Sequence, residues 1–209
     1  IGAVLDGSFF FEGMRAKDIS PVLARLHPQW DNELFRQYCQ RFSLPMSKPI
    51  KEFSKGMKAK LCLVTALAHH PKLLILDEAT SGLDPVVRSE ILDVFQEFIE
   101  DENHSILLSS HITSDLEKIA DYITFVHQGK IVFSLSKDEM LERYGLVKCS
   151  REDAVRLDPA HIAGRRDSRF DVELLIDNRQ NAGAYRGLLV EPATIDDIMT
   201  FFGKGAETK

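Results

Sequence analysis

Two acidic residues, Asp77 and Glu78, directly follow four apolar residues at positions 73–76. A short apolar run of this kind is typical of a parallel β-strand that is covered on both faces. Because neighbouring residues of an extended chain point in opposite directions, Asp77 can meet a Mg²⁺ ion while Glu78 orients an attacking water. The pair therefore indicates chemistry on a metal-bound phosphate. The alternative is a buried strand whose acids only face solvent or cap the next helix.

Further segments carry polar side chains that could serve the same chemistry. In chain order they contain Asp6, then Ser54, Lys55, Gly56 and Met57, then Asp84, and finally His111. A serine hydroxyl, a glycine amide and a helix N-terminus, as predicted around Ser54, together form an anion site without net charge. Ser54 is equally suited to a plain helix N-cap. A lone histidine is more often an ordinary surface residue, but next to the two acids a role for His111 in catalysis is favoured.

The predicted elements place these residues at the ends of strands and the beginnings of helices. Strands are predicted at residues 1–5, 73–77 and 105–109, and helices begin after the N-caps Ser54 and Asp84. Alternating strands and helices are typical of an open, mostly parallel α/β sheet, in which ligands bind beyond the carboxyl ends of the strands. Asp77, Glu78 and His111 all fall at such ends.

The other elements are predicted from periodicity, caps and turn residues. They are a helical region at residues 18–42 interrupted near Pro28, a hairpin of residues 122–126 and 130–135, and strands at 170–176 and 188–190. Capping boxes at Ser114/Glu117 and Ser136/Glu139 predict two short helices, the second ending at Gly145, and a last helix is predicted at 194–202. We predict one α/β domain at 1–145, with a helical subdomain at about 8–70 and the part with the acids at about 71–145, followed by a small α+β accessory subdomain at 146–209.

Composition limits the class of protein. Hydrophobic residues make up 44% of the chain and charged residues 28%, as is ordinary for a globular protein. The net charge of -6 and the lack of a dense basic stripe argue against a nucleic-acid surface. Three cysteines without a C-x-x-C spacing indicate neither a disulfide framework nor a zinc site. The longest apolar run, residues 61–68, is far shorter than a membrane-spanning helix requires.

The segments EFSKGMK, KLLILDEATSGLDP and SSHI, in this order and spacing, resemble the nucleotide-binding domain of an ATP-binding cassette (ABC) transporter over about residues 1–140. The resemblance implies a P-loop NTPase-like α/β cassette of a bacterial export-type subgroup. It also implies that Asp77 serves Mg²⁺, that Glu78 polarises the hydrolytic water and that His111 contacts the γ-phosphate. The other implied site residues are Ser54, Lys55, Gly56 and Met57, in the signature segment that binds nucleotide on the opposite subunit, and Asp84 at the dimer interface.

The chain departs from the family pattern at three places. Its signature is F-S-K-G-M where the family commonly has L-S-G-G-Q, so that Lys55 replaces a glycine and either touches phosphate or points to solvent. Asp6 stands where the family usually has glutamine; it can reach a metal or a water but cannot donate a hydrogen bond as glutamine does. The phosphate loop G-x-x-x-x-G-K-[ST] occurs nowhere in the 209 residues. Because the chain also begins with Ile1, we expect that it lacks the N-terminal part with that loop and is inactive alone.

The resemblance further implies ATP and Mg²⁺ as cofactors, a second nucleotide-binding subunit in a homodimer, and integral membrane permease subunits as partners, with no nucleic acid. The expected location is cytoplasmic, on the inner face of the cell membrane. One alternative is a soluble ABC ATPase of translation or DNA repair, although only about 47 residues separate Asp6 from Ser54, too few for the long coiled coils of chromosome-type members. Another is a regulatory cassette without hydrolysis, which the intact Glu78 and His111 disfavour.

Overall fold

A computed structural model describes residues 1–5, 10–180, 185 and 187–203 of the chain. Contacts divide it into two compact units, Ile1–Asp115 and Leu116–Lys209. The domain boundary predicted after residue 145 falls inside a β-strand, Tyr144–Cys149. The division into a catalytic and an accessory part stays a prediction. Among the described residues, no helix combines the length and the apolar character needed to cross a membrane.

The first unit contains a parallel three-stranded sheet. Its strands are β1 (Gly2–Val4), β2 (Leu73–Asp77) and β3 (Ser105–Ser109), and β2 lies in the middle. The strands predicted at 73–77 and 105–109 are confirmed. Leu74 and Leu76 are fully buried, whereas Leu73 and Ile75 are half-buried on the other face. The register pairs Asp77 with Ser109, which brings the ends of β2 and β3 together at the same edge of the sheet.

The first unit also contains helices. They are α1 (Ala16–Leu23), α2 (Asn32–Arg41), α3 (Lys55–Leu67) and α4 (Pro85–Ile99), with a 3-10 turn at Ile50–Glu52. Of these, α3 and α4 pack against the sheet. The predicted helical region at 18–42 is thus two helices, separated around Pro28 as expected. Helix α3 packs against β1 and α2, and its inward face of Leu61, Val64 and Leu67 is buried. Both predicted N-caps are confirmed, because Ser54 precedes α3 and Asp84 precedes α4.

Helix α5 (Thr113–Ile119) starts two residues earlier than an N-cap at Ser114 would place it. Ser114 was predicted as the N-cap, but it lies inside the first turn of the helix. The hydroxyl of Ser110 accepts a hydrogen bond from the amide of Ile112 at 3.0 Å, and the amide of Asp115 bonds to the carbonyl of Ile112. The chain therefore turns before Thr113, and the capping box at Ser114 and Glu117 is wrong.

The second unit begins with the predicted hairpin, β4 (Tyr122–His127) and β5 (Lys130–Ser136). Ser136 then caps α6 (Lys137–Arg143) by accepting a hydrogen bond from the amide of Glu139, as predicted. Helix α6 ends at Arg143 with Tyr144 as its C-cap, so it stops at Gly145 as predicted, but Gly145 itself lies in β6 (Tyr144–Cys149). A Cβ at Gly145 would lie 2.7 Å from the side chain of Val190, so this glycine serves the close approach of two strands.

Four antiparallel strands form the sheet of the second unit. In space the order is β7 (Ile162–Asp167), β8 (Val172–Asp177), β6 and β9 (Val190–Pro192). Because α7 (Arg151–Arg156) connects β6 to β7 while β8 lies between them, this is a split β-α-β arrangement. A 3-10 turn, Pro159–His161, precedes β7, and α8 (Ile195–Gly203) ends the described chain. The strand predicted at 170–176 and the helix predicted at 194–202 correspond to β8 and α8, whereas the strand predicted at 188–190 overlaps β9 only at Val190.

Both faces of this sheet are covered. Val147, Leu174 and Ile176 face α7 and are fully buried together with Tyr185, whose hydroxyl contacts the carbonyls of Asp177 and Asn178 at 2.8 Å. On the other face, α8 packs against β7 and β8 through the buried Phe201. The second unit therefore has a hydrophobic core of its own.

The ion pair between Arg143 and Asp177 predicts a pH dependence of stability. Two hydrogen bonds of 2.7 Å join the guanidinium to the carboxylate, and they hold the pKa of Asp177 below its ordinary value. A carboxyl group whose pKa is lower in the folded than in the unfolded protein stabilises the fold at pH values above its unfolded-state pKa. This contribution is lost as the pH falls through the folded-state pKa. Asp177→Asn should therefore lower the free energy of unfolding by less than about 1 kcal/mol at neutral pH, because both side chains are partly exposed.

Chemical unfolding of the Asp177→Asn variant and the parent protein at pH 7 and at a series of lower pH values checks this, because the contribution of the ion pair declines once the pH falls below the ordinary pKa of an aspartate. The difference between the two proteins should shrink towards zero in acid. An equal difference at all pH values would mean that packing, not the ion pair, carries the effect.

Candidate active site

Glu78 and His111 lie in direct contact at the carboxyl edge of the parallel sheet. Glu78 follows β2 and His111 follows β3 by two residues, so the parallel pairing of these strands brings both to one place. The distance from Glu78 Oε2 to His111 Nδ1 is 2.7 Å. The His111 side chain is 68% exposed and that of Glu78 31%, which leaves the pair open to water. With the Nδ1 proton donated to the carboxylate, Nε2 is available to a second partner.

Asp77 is held by the neighbouring strand. Its Oδ1 accepts a hydrogen bond of 2.5 Å from the hydroxyl of Ser109, the residue opposite it in the sheet. Among the described residues, no group of three or more His, Cys, Asp or Glu side chains could enclose a metal ion. Mg²⁺ typically binds through one or two carboxylates together with waters and substrate phosphates, and an aspartate with a neighbouring hydroxyl fits this donor preference. The arrangement is therefore suited to Mg²⁺ that arrives with a nucleotide.

The backbone of Glu78 is in the left-handed region, with φ of 50°. For a residue with a side chain this conformation costs about 1 kcal/mol or more and is concentrated at functional sites. The amide of Glu78 donates to the carbonyl of Ser109 at 3.1 Å and lies 3.2 Å from its hydroxyl, which stabilises the bend. The bend ends β2 at Asp77 and directs the two adjacent carboxylates to different partners.

The signature segment begins α3. The hydroxyl of Ser54 accepts a hydrogen bond of 3.2 Å from the amide of Met57, so Ser54 is an N-cap. Gly56 is buried, and a Cβ at this position would lie 3.0 Å from the Val87 side chain in the first turn of α4. The absence of a side chain thus allows the two helix N-termini to approach each other. Binding of a nucleotide by Ser54, Gly56 or Met57 stays a prediction.

Lys55 extends from the signature segment to the loop between Glu78 and Asp84. A Cβ at Gly82, whose φ is 65°, would lie 2.5 Å from Lys55 Nζ. Lys55 also lines a cavity of about 130 Å³ whose other polar lining residues are Lys58, Glu78 and Ser81. Lys55 is an exposed residue, and its contact with a phosphate stays a prediction. Its ammonium group lies beside a loop that joins two predicted site residues.

Of the two remaining predicted site residues, the structure describes Asp84 but not Asp6. Asp84 caps α4, because its Oδ1 accepts hydrogen bonds of 3.1 Å from the amides of Val86 and Val87. Its place at a dimer interface stays a prediction. Asp6, predicted to reach a metal or a water, lies outside the described residues.

Sequence reasoning did not single out three residues that hold the site together. Ser109 contacts Asp77 and Glu78, while Thr80 and Asp115 form a buried hydrogen bond behind them. The position of Ser109 could have been found from the strand register, because β2 and β3 have equal length and end in polar residues. No local pattern in the sequence identifies Thr80 and Asp115 as partners.

Comparison with known proteins identifies the family. A family model described as "AAA domain, putative AbiEii toxin, Type IV TA system" matches residues 3–114, more than half of the chain. The chain is 38% identical over 145 residues to the "Bacitracin transport ATP-binding protein BcrA" of Bacillus licheniformis, covering 68% of this chain and 47% of the relative. It is 29% identical over 148 residues to the "ABC transporter ATP-binding protein YtrB" of Bacillus subtilis, covering 71% and 51%.

A solved "Structure of ATP binding subunit of ABC transporter" has the same fold, with a TM-score of 0.58 at 24% identity over 66% of this chain and 60% of that one. The parallel sheet, the acids at its carboxyl edge and the matched model together define an AAA-type α/β ATP-binding domain. Within that class, the chain belongs to the ATP-binding proteins of ABC transporters. It spans about half the length of the curated relatives it matches.

Proposed function

We propose that this chain supplies the residues that hydrolyse MgATP in a transporter ATPase. The contact of 2.7 Å between Glu78 and His111, next to an aspartate held by Ser109, is the observation that carries the proposal. A carboxylate and an imidazole in contact can orient a water and accept its proton, which is the chemistry that phosphoryl transfer to water requires. Membership in the ABC transporter family supports the same assignment.

The proposed roles follow from the side chains. Asp77 holds Mg²⁺, directly or through water, with Ser109 fixing the direction of its carboxylate. Bound with ATP, the metal neutralises charge on the phosphates. Glu78 orients and polarises the attacking water, and His111 fixes Glu78 through Nδ1 while Nε2 is left to contact the γ-phosphate. Lys55 adds a positive charge near the same cavity, where a phosphate oxygen can accept a hydrogen bond from it.

The proposed assembly is a homodimer on integral membrane permease subunits, at the cytoplasmic face of the membrane, without nucleic acid. Ser54, Gly56 and the N-terminus of α3 then bind the γ-phosphate held by the opposite subunit, and Asp84 lies between the two subunits. The names of the relatives support a transporter, because those proteins are described as transport ATP-binding proteins for bacitracin and for lantibiotics. We also propose that the 209 residues alone do not turn over MgATP, since they contain no phosphate loop.

Phosphate release by the complete gene product, with Mg²⁺ and with EDTA, tests the proposal. We expect turnover that requires Mg²⁺ and is absent from the 209-residue chain. Asp77→Asn should raise the Mg²⁺ concentration for half-maximal activity by at least about tenfold, because it removes a carboxylate from the metal. Asp93→Asn, the same change at an exposed position of α4, is the matched control and should behave like the parent. Turnover in EDTA, or none from the complete product, would contradict the proposed function.

A further inference from the structure

Thr80 and Asp115 form a hydrogen bond in the interior of the first unit. Thr80 is 1% exposed and Asp115 is 2% exposed. The hydroxyl of Thr80 donates to Asp115 Oδ2 at 2.7 Å, and Arg88 Nη1 lies 3.9 Å from Oδ1. A buried carboxylate is costly unless it is hydrogen-bonded and its charge is compensated, and here both partners are present.

Each member of this buried group belongs to a segment that carries a residue of the candidate active site. Thr80 follows Glu78 by two residues, and Asp115 follows His111 by four. Arg88 lies one turn after Asp84, and its amide donates to the carbonyl of Asp84 at 3.0 Å. The group therefore links the loop after β2, the segment after β3 and the start of α4 at one point.

The link is independent of the contact between Glu78 and His111 themselves. That contact is largely exposed, and two exposed side chains seldom hold each other in one geometry, because solvent competes and side-chain entropy is lost. Behind it, the bond between Thr80 and Asp115 is shielded from water and has little freedom to rearrange. The buried bond is thus a second connection between the two backbone segments, farther along the chain than the bonds from the Glu78 amide to Ser109.

We propose that Asp115 is a positioning residue that sets the separation of Glu78 and His111 through Thr80, and the start of α4 through Arg88. Asp115 touches neither substrate nor metal. Its effect on turnover rests on the proposed function, whereas its effect on the geometry of Glu78 and His111 does not. Without the buried bond, the segments after β2 and β3 separate, and the carboxylate loses its fixed contact with the imidazole.

Matched substitutions at Thr80 separate positioning from packing. Thr80→Val keeps the shape of the side chain but removes the hydroxyl that Asp115 accepts from, and Thr80→Ser keeps the hydroxyl but removes a methyl group. Asp115→Asn keeps an oxygen acceptor and removes the charge that faces Arg88. Ile19→Ala, in the buried face of α1, lowers stability at a position remote in sequence from all three segments and serves as the control.

Two measurements on the complete gene product report the outcome. Steady-state kinetics should show Thr80→Val lowering kcat by about tenfold to a hundredfold with KM for MgATP little changed, because a small misplacement of catalytic groups costs this much. The ¹⁵N shifts of the His111 imidazole, which report the proton on Nδ1, should move in Thr80→Val and Asp115→Asn. Thr80→Ser and Ile19→Ala should keep both the parent kcat, within about twofold, and the parent shifts.

Each outcome bears on the proposal. Unchanged His111 shifts in Thr80→Val and Asp115→Asn would overturn it, and so would shifts that move equally in Ile19→Ala. A parent protein that does not hydrolyse MgATP contradicts the proposed function only, because the ¹⁵N shifts still report whether Asp115 positions the pair. Moved shifts with unchanged kcat would show that Asp115 orients His111 but that turnover does not depend on it, which overturns the kinetic half of the proposal.

Discussion

Replacing Glu78 with glutamine in the complete gene product is expected to lower kcat for MgATP hydrolysis by about 10²- to 10⁴-fold, the usual contribution of a general base. Glutamine has nearly the same size and can still contact His111, but it cannot accept a proton from water. Nucleotide affinity should stay within about twofold of the parent, because in the proposed mechanism Glu78 acts on the water and not on the phosphates. Phosphate release under saturating MgATP and nucleotide binding at equilibrium measure the two quantities separately.

A double variant that combines Glu78→Gln with His111→Ala tests whether the two residues act together. The two side chains are in contact at 2.7 Å, and in the proposed mechanism His111 holds Glu78 in place, so their effects on kcat should not add. Glu102→Gln, the same chemical change in the exposed turn before β3, is the matched control and should leave kcat unchanged. Full activity in Glu78→Gln would remove Glu78 from the mechanism, and additive losses in the double variant would mean that Glu78 and His111 act on separate steps.

Local signals explain why much of the first unit could be predicted from its sequence. The strand at 73–77 and the helix starts at Ser54 and Asp84 are encoded by residues within one turn or one strand of the feature itself. Hydrophobic periodicity and capping depend only on near neighbours, so a single sequence is sufficient to find them. The hairpin of β4 and β5 was found for the same reason, since Gln128 and Gly129 both take positive φ in its turn.

Other features depend on partners that are distant in the sequence. Residues 165–167 are all charged, yet they form the end of β7. Arg166 pairs there with Glu173 of β8, and Glu173 also binds Lys148 of β6. Because of these charges the sequence of this strand resembles that of a loop, and only the neighbouring strands show that it belongs to a sheet. Likewise, glycine is a residue expected at the end of a helix, and only the closeness of the Val190 side chain shows why a glycine is needed at position 145 of a strand.

The candidate site likewise contains some features that the sequence predicts and others that it does not. Asp77, Glu78 and His111 were predicted because motif and strand ends place them, and the structure brings Glu78 and His111 together. The left-handed backbone of Glu78 had no signal, since glutamate rarely adopts it. The bonds from Ser109 to Asp77 and from Thr80 to Asp115 join residues 32 and 35 positions apart, and no local preference encodes such pairs.

Leu174→Ala should destabilise the second unit by about 2 to 5 kcal/mol, the usual cost of a leucine truncated in a closed core. Leu174 is fully buried in β8, between β7 and β6, and packs in the cluster that includes Val147 and Tyr185. Both faces of the sheet are covered by helices, so the cavity cannot collapse easily. Leu189→Ala, the same change at a residue 75% exposed, should alter stability by less than about 0.5 kcal/mol.

Hydrogen exchange resolved by segment shows where that stability is lost. We expect faster exchange in β6, β7 and β8 of the Leu174→Ala variant, with the amides of β2 and β3 keeping their protection, because each unit has its own core and can open locally. Retained hydrolysis of MgATP by the complete gene product with the Leu174→Ala change would support an accessory role for residues 146–209. Equal loss of protection in β2 and β3 would instead mean that both units unfold as one, and that the core around Leu174 also supports the edge of the sheet carrying Glu78 and His111.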